Sequence, residues 1–221
     1  MEKRNMQKLI NGVHKFQQEA FGTHRELFTK LAEKQTPHTL FITCADSRIN
    51  PNLLTQTAPG ELFILRNAGN IVPSYSGHVG GEAATIEFAV AGLGVEHIVV
   101  CGHSNCGAMK ALLAPDMVRD LPAMRLWLEN AEVTRRIAAE NYSDRSGEDL
   151  LNVVTQENVL AQLESLRTHP TVASKIAAGT IHLHGWVYKI PTGEVFAFDP
   201  VDGQFRPLAK VAVVAIKPRC G

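Results

Sequence analysis

Charge of one sign is what this chain most plainly lacks: 22 Lys and Arg residues balance 22 Asp and Glu residues over 221 positions. A neutral chain has no electrostatic reason to bind nucleic acid or an anionic membrane, so neither is expected as a partner. Long apolar runs are missing as well. Met1 to Phe21 mixes polar and apolar residues without an uninterrupted apolar stretch. Neither a secretory signal nor a membrane-spanning helix is therefore expected, and the default compartment is a reducing cytoplasm. Cysteine is scarce: Cys44, Cys101, Cys106 and Cys220 are too few for a disulfide scaffold in a chain of this length. No internal repeat, low-complexity segment or convincing linker interrupts the chain. An apolar fraction of 45% suits a packed globule. The chain reads as a single domain, 1–221, with a helical arm over 1–35 and an α/β core over 36–221.

What is present is patterned. Leu9, Ile10, Val13, Phe16, Ala20 and Phe21 recur at roughly helical spacing and mark an amphipathic arm. Thr39–Cys44, Glu61–Arg66 and His97–Gly102 are apolar runs rich in β-formers, without alternation, as expected of strands covered on both faces. Gly80-Gly81 opens a helix through about Leu93. Further helices are expected over Ser104–Leu113, Pro122–Asn141 and Glu148–Thr168, with a polar break at Tyr142–Gly147. Thr180–Ile190 reads as a fourth strand, paired with Glu194–Phe198 across the Pro191-Thr192-Gly193 turn. Strands separated by helices give the fold class: α/β, a mainly parallel central β-sheet wrapped by helices, with an N-terminal helical arm.

Two short segments carry the chemistry. Cys44-Ala45-Asp46-Ser47-Arg48 ends the first strand, and His103-Ser104-Asn105-Cys106-Gly107 follows the third. Sites on open parallel sheets gather at the carboxyl ends of strands. If these strands are neighbours, Cys44, His103 and Cys106 converge. Two thiolates and one imidazole are a zinc set, and three protein ligands leave a fourth position open, the mark of a catalytic zinc. Ser104 or Asn105 is the expected N-cap, with Cys106 in the first helical turn, and Gly102 and Gly107 let the backbone pass close to the metal. Taken singly, a strand-end Cys is more often a small buried hydrophobe and a turn His a local hydrogen-bonding group. The joint pattern lifts them. Cys101 reads as core and Cys220 as a bystander. His182 and His184 form H-x-H on one strand face, which can bind metal but reads as a polar strand face, with no third ligand close in sequence. His14, His24, His38, His78, His97 and His169 have no constellation around them.

Asp46 and Arg48 are spaced for a charge-assisted pair. Beside a metal, the carboxylate can either accept a hydrogen bond from a bound hydroxide and aim its lone pair at substrate, or swing onto the metal and close the fourth position.

With these residues in place the chain resembles the β-class carbonic anhydrases over nearly its whole length. C-A-D-S-R at Cys44–Arg48, P-G-E-L-F at Pro59–Phe63, R-N-A-G-N at Arg66–Asn70 and G-H-S-N-C-G at Gly102–Gly107 carry the resemblance, which is nearest to the bacterial enzymes found beside cyanase in cyanate-degrading operons. The resemblance implies one zinc per chain on Cys44, His103 and Cys106, an Asp46–Arg48 dyad, and reversible hydration of carbon dioxide to bicarbonate and a proton by zinc-hydroxide attack. It implies a substrate side formed by Gln35, Phe63 and Ala68, with Phe88 and Gly107 beside them. It also implies sites at a homodimer interface, with dimers pairing into tetramers or larger assemblies. Plant-type relatives carry Tyr and His where Phe88 and Gly92 stand here, so a proton-shuttling role for those positions is not carried over. Allosteric members carry Trp and Gly where Phe41 and Thr43 stand, which favours the open, non-allosteric subtype. Hydrolysis of carbonyl sulfide or carbon disulfide, and a purely structural zinc closed by Asp46, are the alternatives.

Overall fold

The computed structural model describes residues 6–76 and 80–208. The chain divides after Thr36 into two compact units. The first is helical from Met6 to Glu33: α1 (Met6–Lys15), a π-helical turn over Phe16–Ala20, α2 (Phe21–Thr23) and α3 (Arg25–Glu33). Phe16, Phe21 and Phe28 tie these pieces together with ring centroids 5.5 to 6.1 Å apart. No residue of α1 is buried, and Leu9, Ile10, Val13 and Phe16 remain exposed.

The second unit is built on a six-stranded sheet in the order β2-β1-β3-β4-β5-β6. Its strands are β1 (Thr39–Cys44), β2 (Leu62–Asn67), β3 (His97–His103), β4 (His182–Tyr188), β5 (Val195–Asp199) and β6 (Gln204–Pro207). The first four in that order are parallel; β5 and β6 are antiparallel additions. Because side chains alternate along a strand, the even-numbered residues of β1 and β3 share one layer with the odd-numbered residues of β4 that pair with them, as Ile98 pairs with Leu183. Leu40, Ile42, Ile98, Val100, Leu183 and Val187 pack there into the main core. The odd positions Phe41, Val99 and Cys101 form a second apolar layer with Ile49. Burial on both faces is what the unalternating runs required.

The main layer is closed by α5 (Gly81–Glu87) and above all by α9 (Gly147–Arg167), which brings Val159, Leu163 and Leu166 onto the sheet. Glu148 and Asp149 in its first turn and Arg167 in its last complement the helix dipole. Two glycines let α9 lie close. A Cβ on Gly185 would stand 2.9 Å from Val159 Cγ1, and one on Gly102 3.0 Å from Val159 Cγ2. Gly102 therefore serves helix packing, not the approach of backbone to metal. Gly185→Ala is expected to destabilise the fold by about 1–3 kcal/mol through overpacking. A thermal melt matching that of the parent would show that α9 has room to move away.

The remaining helices are α4 (Pro51–Thr55), α6 (Gly107–Leu113), α7 (Pro122–Leu128), α8 (Glu132–Asn141) and α10 (Pro170–Ala177). The sequence reading omitted α4, α10 and β6. In α4, Asn50 caps the start by accepting from Leu53 N at 3.2 Å, with Pro51 in the first turn. The helix expected over 122–141 is two helices joined by a 3-10 turn at Glu129–Ala131. The one expected from Ser104 begins only at Gly107, because Asn105 takes a left-handed conformation (φ 58°). The reading that His97 stands alone is also corrected: β3–β4 pairing sets it opposite His182, and its Nδ1 lies 3.1 Å from Nε2 of His184, 87 residues away. Cys220 and His78 lie outside the described residues.

Candidate metal centre

β1 and β3 are direct neighbours, so their carboxyl ends open on one crevice. Cys44 is the last residue of β1 and His103 the last of β3, and Cys106 follows after a tight turn. The turn is held by Ser104, whose N–H donates to Tyr188 O at 2.9 Å and whose hydroxyl accepts from Ile190 N at 3.0 Å. Ser104 is thus committed to β4, and Cys106 itself occupies the N-cap position of α6. That corrects the expectation of a Ser104 or Asn105 cap.

The two sulfurs lie 4.0 Å apart, and all three donor atoms fall within 4.8 Å of one another. Two sulfurs bound tetrahedrally to one zinc at 2.3 Å stand ~3.8 Å apart, so the spacing fits. His103 Nδ1 donates to Ser104 O at 2.9 Å. This fixes the tautomer and leaves the Nε2 lone pair free. That atom is fully buried and has no hydrogen-bond partner among the described residues. An orphaned imidazole nitrogen facing two thiols is a donor set that could hold a metal, since unsatisfied buried polar atoms are otherwise costly.

The thiols titrate as a pair. A hydrogen bond from Cys106 is the largest influence holding Cys44 far below the ordinary thiol range, with the Gly69 N–H (3.4 Å) adding to it against burial. Cys106 is pushed up because it keeps that proton for Cys44 and is itself buried, while the Ala108 and Met109 amides pull the other way. Cys44 and Cys106 would hold a divalent metal as thiolates, giving up the proton they share. Cys101 is different. Burial pushes its thiol up to about 12, as expected of a core residue.

Asp46 is held by Arg48 in a two-pronged grip, Nε to Oδ1 at 2.9 Å and an Nη to Oδ2 at 2.7 Å, with the Arg48 N–H adding 2.9 Å to Oδ1. The guanidinium keeps the Asp46 carboxyl well below the usual carboxylate range. Its Oδ2 lies 3.8 Å from His103 Nε2, so the dyad borders the ligand cluster. Arg48 also donates to Asn105 O at 3.1 Å, linking the two halves of the site.

A family model described as carbonic anhydrase matches residues 39–195. A carbonic anhydrase of Synechocystis sp. is 49% identical over 197 residues, covering 89% of this chain and 72% of that protein. The solved structure of the β-carbonic anhydrase CcaA superposes with a TM-score of 0.90 at 48% identity, covering 92% of this chain and 99% of that one. A tetrameric β-carbonic anhydrase of Sordaria macrospora follows with a TM-score of 0.78 at 30% identity, covering 86% and 95%. The chain belongs to the β-class carbonic anhydrase family. It is an enzyme of carbon dioxide hydration that uses zinc.

The carbonic anhydrase fold adds supports that sequence reasoning missed. Arg66, inside R-N-A-G-N, clamps the turn after β1 by donating to Cys44 O (3.1 Å), Asp46 O (2.8 Å) and Ile49 O (3.0 Å). The loop beyond β2 is fixed from behind. Trp127 Nε1 donates to Ala68 O at 2.8 Å, Asn158 to Gly69 O at 3.0 Å, and Gln162 accepts from Val72 N at 2.8 Å. Buried amides at Asn158 and Gln162 on a largely apolar helix face were the available signal.

The residues expected on the substrate side are spread out within the chain. Ala68 directly follows β2, one residue before the Gly69 amide that reaches Cys44. Gly107 opens α6 beside Cys106, with nothing within 4 Å of where a Cβ would stand. Phe63 pairs with Leu40, four residues before Cys44, hence ~13 Å back along the strands. It packs on Phe88 with centroids 6.0 Å apart. Phe88 in turn covers Gly92, where a Cβ would stand 2.8 Å from its ring. One chain therefore does not bring Phe63 and Phe88 to the cysteines. Gln35 is exposed and belongs to the helical unit.

Proposed function

We propose that Cys44, His103 and Cys106 hold the catalytic zinc of this enzyme, that Asp46 and Arg48 orient the reacting water, and that Gln35, Phe63, Ala68, Phe88 and Gly107 form the substrate side. The observation that carries the assignment is the buried, unpartnered His103 Nε2 beside the two sulfurs. When bound, the metal supplies a Lewis acid that makes water a nucleophile near neutral pH. The protein does the rest. Asp46, kept ionised and aimed by Arg48, accepts a hydrogen bond from the attacking water and turns its lone pair toward carbon dioxide. The apolar side chains receive the gas and exclude competing water. Two thiolates neutralise a zinc dication, which three neutral imidazoles do not, so bound water ionises less readily here. Hydration is accordingly expected to rise steadily from about pH 6 to 9, against the value near 7 for water at a three-histidine zinc site. Stopped-flow rates in saturating buffer that stay flat over this range would contradict it.

The working form is a homo-oligomer, with a dimer as its unit and a tetramer or larger assembly within reach. Its support is that Phe63 and Phe88 stand away from the cysteines of their own chain, while α1 leaves an apolar stripe exposed. The tetrameric Sordaria relative sets a precedent. Sedimentation at micromolar concentration should show no 24.2 kDa species; a fully active monomer would refute the shared site. No helix among the described residues is long and apolar enough to cross a membrane, and the proposed compartment is the cytoplasm. We assign the chain to the cyanate-operon subtype on its motifs. Slower growth on cyanate after gene deletion supports that assignment, and unchanged growth opposes it.

A further inference from the structure

The site above leaves one group of chemistry-bearing side chains unused. His182 and His184 share a face of β4, and His97 faces them from β3. The ring centroid of His97 is 5.4 Å from that of His182 and 5.3 Å from that of His184. All three rings are partly buried and partly open to solvent. They lie at the amino end of β3, six residues or ~20 Å from His103.

We propose that His97, His182 and His184 form a second metal site, for a divalent transition ion of the zinc and nickel class that imidazole favours. His97 Nδ1 and His184 Nε2 are 3.1 Å apart. An ion 2.0–2.1 Å from both would subtend an angle of about 98°, between octahedral and tetrahedral values. Today a proton bridges the two nitrogens. On binding, that proton moves to the far nitrogen of its own ring and the freed lone pair takes the ion. Both imidazoles stay neutral and no net proton is released. His182 completes the set by turning its ring, and water fills the remaining positions. This arrangement is looser than the cysteine centre, whose donors alone among the described residues fall as a trio within 4.8 Å of each other. It is a weaker, exchangeable site.

The surroundings favour uncharged ligands. Burial, then the neighbouring His97 and His182, pushes His184 down to about 4. His97 is lowered by burial and by His182, with His38 adding to this and the Glu96 carboxylate opposing it. Lone pairs are thus available at neutral pH without competition from protons. The Glu96 charge also favours a cation near His97.

The test is equilibrium dialysis of the full-length, zinc-loaded enzyme against rising free zinc, with metal counted per chain. The parent should rise from one zinc to two. His184→Gln should stay at one, with its carbon dioxide hydration rate unchanged. His182→Gln, altered at the partly open edge of the cluster, should need more zinc to reach two and so keeps the test decisive if His184→Gln fails to fold. A parent that saturates at one zinc overturns the proposal. So does a second zinc bound with parental affinity by both variants, since the ion would then sit elsewhere.

Discussion

Cys106→Ala is expected to emerge from dialysis without zinc and to hydrate carbon dioxide no faster than buffer. A complete four-ligand zinc site binds with about 10–16 kcal/mol. If the lost thiolate carries even a quarter of the lower figure, ~2.5 kcal/mol, affinity drops ~70-fold, and the true loss is expected to be greater. Cys106 matters twice here. It is a ligand, and its thiol is the main partner of Cys44, 4.0 Å away. Its removal leaves Cys44 without that partner and opens a cavity under α6. Elemental analysis settles the point: one zinc per chain in this variant would overturn the ligand assignment, whatever its activity.

Asp46→Asn should do the opposite, keeping the metal and losing the rate. The amide is nearly isosteric, so the ligand cluster is undisturbed. What disappears is the negative charge and one acceptor oxygen. Arg48 then faces an amide nitrogen in place of one of the two oxygens that accept its charge-assisted bonds of 2.7 and 2.9 Å. Positioned proton-handling groups contribute about 10²–10⁴-fold, and a fall in kcat/KM of about 10²–10³ is expected with zinc unchanged. Arg48→Lys should recover only part of the parental rate relative to Arg48→Ala. A lysine restores charge but not the planar fork that holds both carboxylate oxygens. Full activity in Asp46→Asn would show that the carboxylate orients nothing.

Much of the site was legible because its residues are adjacent in sequence or end strands. Cys44 and His103 close apolar runs, and the pairing of β1 with β3 turns those two ends into one crevice. Asp46 and Arg48 needed no tertiary information. What stayed hidden depends on partners far along the chain. Arg66 acts on backbone carbonyls up to 22 residues away, which no side-chain pattern announces. Asn158 and Gln162 act on Gly69 and Val72 across about 90 residues. His97 appeared solitary because its companions belong to a strand whose pairing partner cannot be read locally. The elements missed were short: α4, α10 and β6 span too few residues for periodicity to register. The start of α6 was misplaced because Ser104 bonds to β4 in preference to capping, a tertiary contact overriding a local one.

The close seating of α9 over Gly102 and Gly185 has a further consequence. The helix that completes the main core is the same one whose amides hold the Gly69 loop, and through it the N–H that reaches Cys44. Core and cofactor pocket thus share a single beam. On heating, zinc release and unfolding are therefore expected to coincide, and zinc lost well before the sheet melts would contradict this coupling.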